Sequence, residues 1–222
     1  MSLSYLERSG ALKLGLAPTR RNLSRKGFFD KADAKAEKDL VIDMLRQKGI
    51  DYVDLSFLND EGIIYNGLDA DRAAQAFIDA KVDAVFVPHC NFGTEDAVAR
   101  LAKKVNKPLL LWGPRDDAPN EDGYRLRDSQ CGLFATSKVL QQFGVPFSYI
   151  PNSRVTDAVF QKGFDHFIAA ACVVKAFRGA RIGQIGTRPS AFWTVKCNEE
   201  ELLHRFGIEV VPLCVPELKK RM

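Results

Sequence analysis

Short, nearly continuous apolar runs alternate along this chain with longer segments whose apolar residues recur every three or four positions. The first pattern is that of strands buried on both faces, the second that of amphipathic helices. The spacing predicts a strand over 12–17, ended by Pro18, then a polar and basic connection over 19–27. A helix follows over 30–49, with Ala34, Leu40, Val41, Met44 and Leu45 facing inward and Gly49 ending it. Residues 52–58 form a second strand and Asn59-Asp60-Glu61-Gly62 a turn, after which Asp69 caps a helix running to Ala80. A strand over 82–87 leads through Pro88-His89-Cys90-Asn91-Phe92-Gly93 to a helix capped by Thr94, with Val98, Leu101, Ala102 and Val105 as its stripe. Residues 108–112 make the fourth strand. A helix capped by Asp128 or Ser129 ends at Gly144, the fifth strand spans 146–150, and a long helix over 156–177 lines up Phe160, Phe164, Phe167, Ile168, Ala171 and Val174.

The regular strand–helix succession, with connections long enough for right-handed crossovers, predicts a doubly wound parallel sheet. The fold class is α/β, a flavodoxin- or Rossmann-like three-layer αβα unit over 1–177. The long loop 113–128 interrupts this economy, and loops of such length in a compact domain are usually functional. Residues 178–222 read as the beginning of a second α/β domain. Arg181-Ile182-Gly183-Gln184-Ile185-Gly186 is expected to be a buried strand. Asn198 caps the next helix with Glu201 as capping-box partner, Leu202, Leu203 and Phe206 give it an apolar side, and Gly207 ends it. A strand over 208–213 and a helix start at Pro216 follow. Two strands do not make a stable sheet alone. Either the chain is a piece of a longer protein or these elements extend the first sheet, and the first is expected.

Composition narrows the function. A net charge of +4 on 222 residues is modest, and most lysines are interspersed with acids. One basic cluster, Arg20, Arg21, Arg25 and Lys26, is too small for a nucleic-acid stripe. Five scattered cysteines without a C-x-x-C argue against a disulfide framework or a zinc site. No apolar run reaches the length of a membrane span, and no secretory signal opens the chain, so a cytoplasmic protein is expected. His89, His166 and His204 lie far apart and in no metal-ligand spacing.

The stretch from Ala180 to Cys214, with Ile185-Gly186, a loop, a helix and Phe206-Gly207 before the next strand, resembles the start of the second domain in the L-fucose/L-arabinose isomerase family. Element order extends the resemblance over nearly the whole chain, as the N-terminal part of such an enzyme. Departures are Ile185 where the family has Phe, and Thr187-Arg188-Pro189-Ser190 where the arabinose branch has an Asp-Asn-Met-Arg type loop. The resemblance implies an aldose–ketose isomerase dependent on Mn2+, whose metal ligands lie beyond this chain. It also implies that this part supplies no catalytic residue and is inactive by itself. A homo-oligomer, trimer or hexamer, is implied, in which this domain closes over a neighbour's site. The matching substrate-binding positions are Thr19, Arg20 and Arg21 after the first strand, His89 and Asn91 after the third, and Gln130 at a helix start. The arabinose branch has His-Thr-Phe where this chain has His89 and Asn91, and its Asn-Gln-Thr-Ala-His run has a His near the place of Leu133; these departures suggest a sugar other than arabinose, or a sugar phosphate given the arginines.

Arg188 and Trp193 add a hydrogen-bonding cation and a flat apolar face, the usual equipment for a sugar. Each candidate has a plainer reading: Arg20 and Arg21 as a solvated face, Gln130 as part of a helix cap, His89 as a core residue. One rival is a non-catalytic sugar-binding protein of periplasmic or repressor type, which shares the element order. Another is a flavodoxin-like nucleotide binder, which Pro18-Thr19-Arg20-Arg21-Asn22 does not suit for want of a Ser/Thr-rich phosphate loop. Gly183-x-x-Gly186 is not a dinucleotide fingerprint.

Overall fold

The computed structural model describes residues 12–23 and 28–221, and Arg25 and Lys26 of the basic cluster lie outside the described residues. The chain divides into two compact units, 1–171 and 172–222.

Five parallel strands build the first unit: β1 (Lys13–Leu16), β2 (Asp51–Val53), β3 (Ala84–Pro88), β4 (Leu109–Trp112) and β5 (Ser148–Tyr149). Their order is β2-β1-β3-β4-β5, the flavodoxin-like arrangement. Every residue of β3 and β4 is buried, as their unbroken apolar sequences require. Successive side chains of β3 serve opposite faces. Val85 and Val87 join a cluster with Phe77 of α2 (Gly67–Asp79), Val98 and Leu101 of α3 (Glu95–Val105) and Leu140 of α4 (Ser129–Gln142). Phe86 turns the other way, its ring 5.5 Å from that of Phe164 in α5 (Ala158–Phe177), while Trp112 meets Phe160 at 4.8 Å. The three layers follow from that alternation.

Several boundaries differ from the expectation. In α1 (Lys31–Gln47), capped by the Asp30 side chain, Leu40 is exposed rather than inward. Ala34, Lys38, Val41, Ile42 and Leu45 form the buried stripe, and Leu40 lies off it. Lys38 takes an inward place because its Nζ donates to the Glu61 carbonyl at 2.8 Å and pairs with Asp54 at 3.5 Å. β2 ends at Val53, not at 58, and the apolar residues after it (Leu55, Leu58, Ile63, Ile64) plug the core from irregular backbone. α2 is capped by Asn66, whose side chain accepts from the Asp69 amide at 2.8 Å. Asp69 sits three residues inside and accepts from Asn66 Nδ2 at 3.0 Å, so it is the second half of the cap and not the cap.

In the second unit β6 (Arg181–Ile185) and β7 (Glu209–Leu213) pair in parallel, with α6 (Glu199–Phe206) between them and α7 (Val215–Arg221) after. Asn198 accepts from the Glu201 amide at 3.1 Å, and Gly207 adopts φ +67. The Glu201 carboxylate goes to Arg205 instead of completing a capping box. β6 is exposed, contrary to the buried strand expected, with Ile185 at 68%. Among the described residues only β7 pairs with it.

Candidate functional site

The carboxyl ends of β1 and β3 are zipped together beyond the regular ladder. The Thr19 amide donates to the Pro88 carbonyl, and the Cys90 amide to the Thr19 carbonyl, each at 2.9 Å. Thr19 Oγ1 accepts from the Thr94 amide at 3.1 Å, and Thr94 Oγ1 donates to the Arg20 carbonyl at 2.8 Å. Thr94 therefore serves the β1 tip, and its side chain makes no cap bond to its own helix. These bonds leave Thr19, Arg20, His89 and Asn91 buried at the sheet's carboxyl edge, where ligands of open α/β sheets bind.

The two arginines have different situations. Arg20 is 2% exposed, and its fork grips Glu61, Nε to Oε2 at 2.5 Å and Nη2 to Oε1 at 3.0 Å. Its guanidinium also lies 4.6 Å from the centre of the Tyr65 ring and donates to Asn22 Oδ1. Arg20 is a strut between the β1 tip and the turn at 59–62. Arg21 is half-buried, its amide donates to Asn91 Oδ1 at 2.7 Å, and its guanidinium lies 4.7 Å from the centre of the Phe92 ring. Among the described residues no carboxylate pairs with it.

Asn91 and His89 each keep one polar group uncommitted. Asn91 Oδ1 takes the amides of Arg21 and Gly93, which fixes the side-chain orientation and leaves Nδ2 without a partner among the described residues. His89 Nδ1 lies 3.0 Å from the Phe92 carbonyl, which can only accept, so Nδ1 carries the proton and Nε2 presents a lone pair without a partner among the described residues. Burial holds the His89 pKa down to about 4; the Phe92 carbonyl opposes the shift and the Arg21 charge adds to it. The imidazole is neutral at physiological pH. Cys90 is buried, which pushes its thiol pKa up and leaves it unreactive. A donor, a lone pair and a guanidinium thus stand at the joined tips of β1 and β3, a set suited to hydroxyl groups and an anion.

Gln130 belongs to the neighbouring strand end. Its amide donates to Asp116 Oδ2 at 3.0 Å and its side chain is exposed. Asp116 Oδ1 takes the Ser129 amide at 2.7 Å, so a loop carboxylate caps α4, and Asp128 makes no cap bond. Sequence reasoning named Asp128 or Ser129 and missed Asp116, which lies too far upstream for any cap pattern. It also missed Arg127, whose 8%-exposed guanidinium faces Asp33, Glu37 and Asp117. Arg188 and Trp193 belong to the second unit. Arg188 curls onto the carbonyls of Pro189 and Ser190, and Trp193 is exposed, with the Lys196 ammonium 5.0 Å from the centre of its ring. Among the described residues no three acids, histidines or cysteines assemble a cation site, so these residues do not fit a manganese ion. No described helix is long and apolar enough to cross a membrane.

Residues 23–178 match the family described as fucose/sulfoquinovose isomerase, N-terminal domain. A sulfoquinovose isomerase from Priestia aryabhattai is 26% identical over 150 residues, covering 66% of this chain and 33% of that protein. Another from Clostridium sp. (strain MSTE9) is 24% identical over 139 residues, covering 62% and 30%. The chain spans about a third of the length of these relatives. A periplasmic solute-binding protein from Actinobacillus succinogenes 130z, with bound D-allose, aligns over 91% of this chain and 59% of its own at 14% identity and a TM-score of 0.30, too slight a likeness to bear on function.

Proposed function

This chain belongs to the fucose/sulfoquinovose isomerase family, in the part that is its N-terminal domain, and from that premise we propose that it supplies the sugar-facing loops of an aldose–ketose isomerase. The observation that most supports the reading is Arg21 on Phe92, without a carboxylate partner among the described residues, beside the buried His89 and Asn91. Isomerisation moves a proton between C1 and C2, which calls for a cation on the two oxygens or for flanking acid–base groups. On this reading those groups come from residues outside this chain, and the part of the described residues is to bind and orient. His89 Nε2 would accept from a sugar hydroxyl and Asn91 Nδ2 would donate to one. Arg21 would pair with an anionic substituent, and the substrate is a sugar bearing a sulfonate or phosphate, in keeping with the sulfoquinovose that names the relatives. Arg20 braces the loop through Glu61, Thr19 holds Thr94, and Gln130 reaches the sugar from the start of α4. Dependence on Mn2+, a trimer or hexamer, and a cytoplasmic setting are part of the same reading, with metal ligands from residues outside this chain.

The test is calorimetric titration of the whole isomerase, wild type and Arg21→Ala, with sulfoquinovose, a hexose phosphate and L-fucose, alongside an isomerisation assay. Arg21→Ala should weaken the two anionic sugars at least tenfold and leave L-fucose binding, if any, unchanged. Equal affinities for both proteins would remove Arg21 from the site. A whole protein that interconverts no aldose and ketose would overturn the reading itself.

A further inference from the structure

We propose that the loop 113–128 is a strap latched at two points onto the segment 28–37, and that Arg127 is a positioning residue that acts through this strap on Arg21. The first latch is ionic. Arg127 is buried and faces Glu37 and Asp33 of α1 together with Asp117 of its own loop. Three carboxylates share one guanidinium, and burial raises the pKa of Asp33 and of Glu37 against the pull of Arg127. Without the arginine, Asp117 would confront Asp33 and Glu37 across the contact that now holds the loop down.

The second latch is aromatic and leads to the site. Tyr124, three residues before Arg127, meets the Phe28 ring edge-on at 5.6 Å. Phe28 meets Phe29 at 5.6 Å, and Phe29 meets Phe92 at 5.6 Å. Phe92 in turn carries the Arg21 guanidinium on its face. Phe29 has φ +51, a left-handed backbone that an aromatic residue adopts only where its contacts impose it. Its two ring contacts, one toward the strap and one toward the site, are the constraint. The strap thus reaches Phe92 through Phe28 and Phe29, and Phe92 sets where the Arg21 charge stands.

The inference does not depend on which sugar binds, or on whether one does, and its test reads the chain itself. Amide hydrogen exchange and phenylglyoxal modification of Arg21 would be followed in the wild type, Arg127→Met and Arg127→Lys. Arg127→Met should speed exchange at least tenfold in 113–128 and also in 89–94, with β1 and β4 unchanged, and should raise the modification rate of Arg21 severalfold. Arg127→Lys should restore part of both effects. Faster exchange confined to 113–128, with Arg21 modified at the wild-type rate, would make Arg127 a loop anchor only and overturn the proposal. Should Arg127→Met fail to fold, Tyr124→Leu keeps the ionic latch and cuts the aromatic one. It is expected to loosen 89–94 while Arg127 still holds the loop, and wild-type exchange at 89–94 in that variant would equally overturn the proposal.

Discussion

Gly132, in the first turn of α4, lies against the carbonyl of Phe92, and a Cβ at that position would stand 1.7 Å from the oxygen. The same oxygen faces His89 Nδ1 at 3.0 Å. The absence of a side chain at 132 therefore lets α4 dock on the β3 tip and preserves the bond that sets the His89 tautomer.

Gly132→Ala is accordingly expected to destabilise the first unit by about 3 kcal/mol or more, at the upper end of overpacking costs because the obstacle is backbone. Denaturant unfolding measures it as a lower midpoint at unchanged slope. A midpoint within error of the wild type would mean that α4 and the β3 tip are not docked as described.

His89 makes the stability of the first unit depend on pH. Its folded-state pKa of about 4 lies below the ordinary 6.5, so as pH falls the unfolded chain takes up the proton first. The contribution is complete above 6.5 and is lost as pH falls toward 4, by up to ~3 kcal/mol. Asp33 and Glu37, whose values are raised by burial, carry the opposite sign, favouring the fold at low pH and losing that favour as pH rises. The comparison of wild type with His89→Asn is therefore the measure. Unfolding curves between pH 7 and 4 should show a shallower loss in the variant, and parallel losses would refute the buried neutral imidazole.

Much of the fold was legible because parallel sheets impose unbroken apolar strands and helices impose a stripe. Residues 84–88 and 109–112 announce themselves in that way, as do Val98, Leu101 and Val105 on α3. The misplacements arise where a polar group found a distant partner. Lys38 could enter the stripe of α1 only because the Glu61 carbonyl and Asp54 receive it, and both lie in a loop that sequence periodicity read as strand and turn. Of the candidate residues, Thr19, Arg20, Arg21, His89 and Asn91 stand at strand ends that the sequence already marked, and the structure draws those ends together. The division of labour between Arg20 and Arg21 was not legible. It depends on Glu61, forty-one positions from Arg20, and no local pattern registers such a pairing. The same holds for Arg127 and Glu37, ninety positions apart.

The pair of Arg20 and Glu61 should behave as a buried ion pair. Glu61→Gln leaves a guanidinium that is 2% exposed without its counter-charge and is expected to cost about 3 kcal/mol. In the double variant Arg20→Met, Glu61→Gln no charge is stranded, and its loss should fall short of the sum of the single losses by about 2 kcal/mol. Additive losses in the double-mutant cycle would show that the two residues act separately.

Asp116 and Asp128 offer a contrast between position and chemistry. Asp128 occupies the residue before α4, where a capping side chain normally sits, yet Asp116 receives the amides of Ser129 and Gln130 and the hydroxyl of Ser129. Asp128 pairs with Arg125, at 4.0 Å on the surface. Asp116→Ala should therefore cost about 1–2 kcal/mol, the usual value of a lost helix cap, and should free the first turn that presents Gln130. Asp128→Ala should stay within ~0.5 kcal/mol. Thermal unfolding of the two variants decides between them, and the reverse ranking would return the cap to Asp128. Because the carboxylate of Asp116 already fills the α4 N-terminus, an anionic ligand gains nothing there in the wild type.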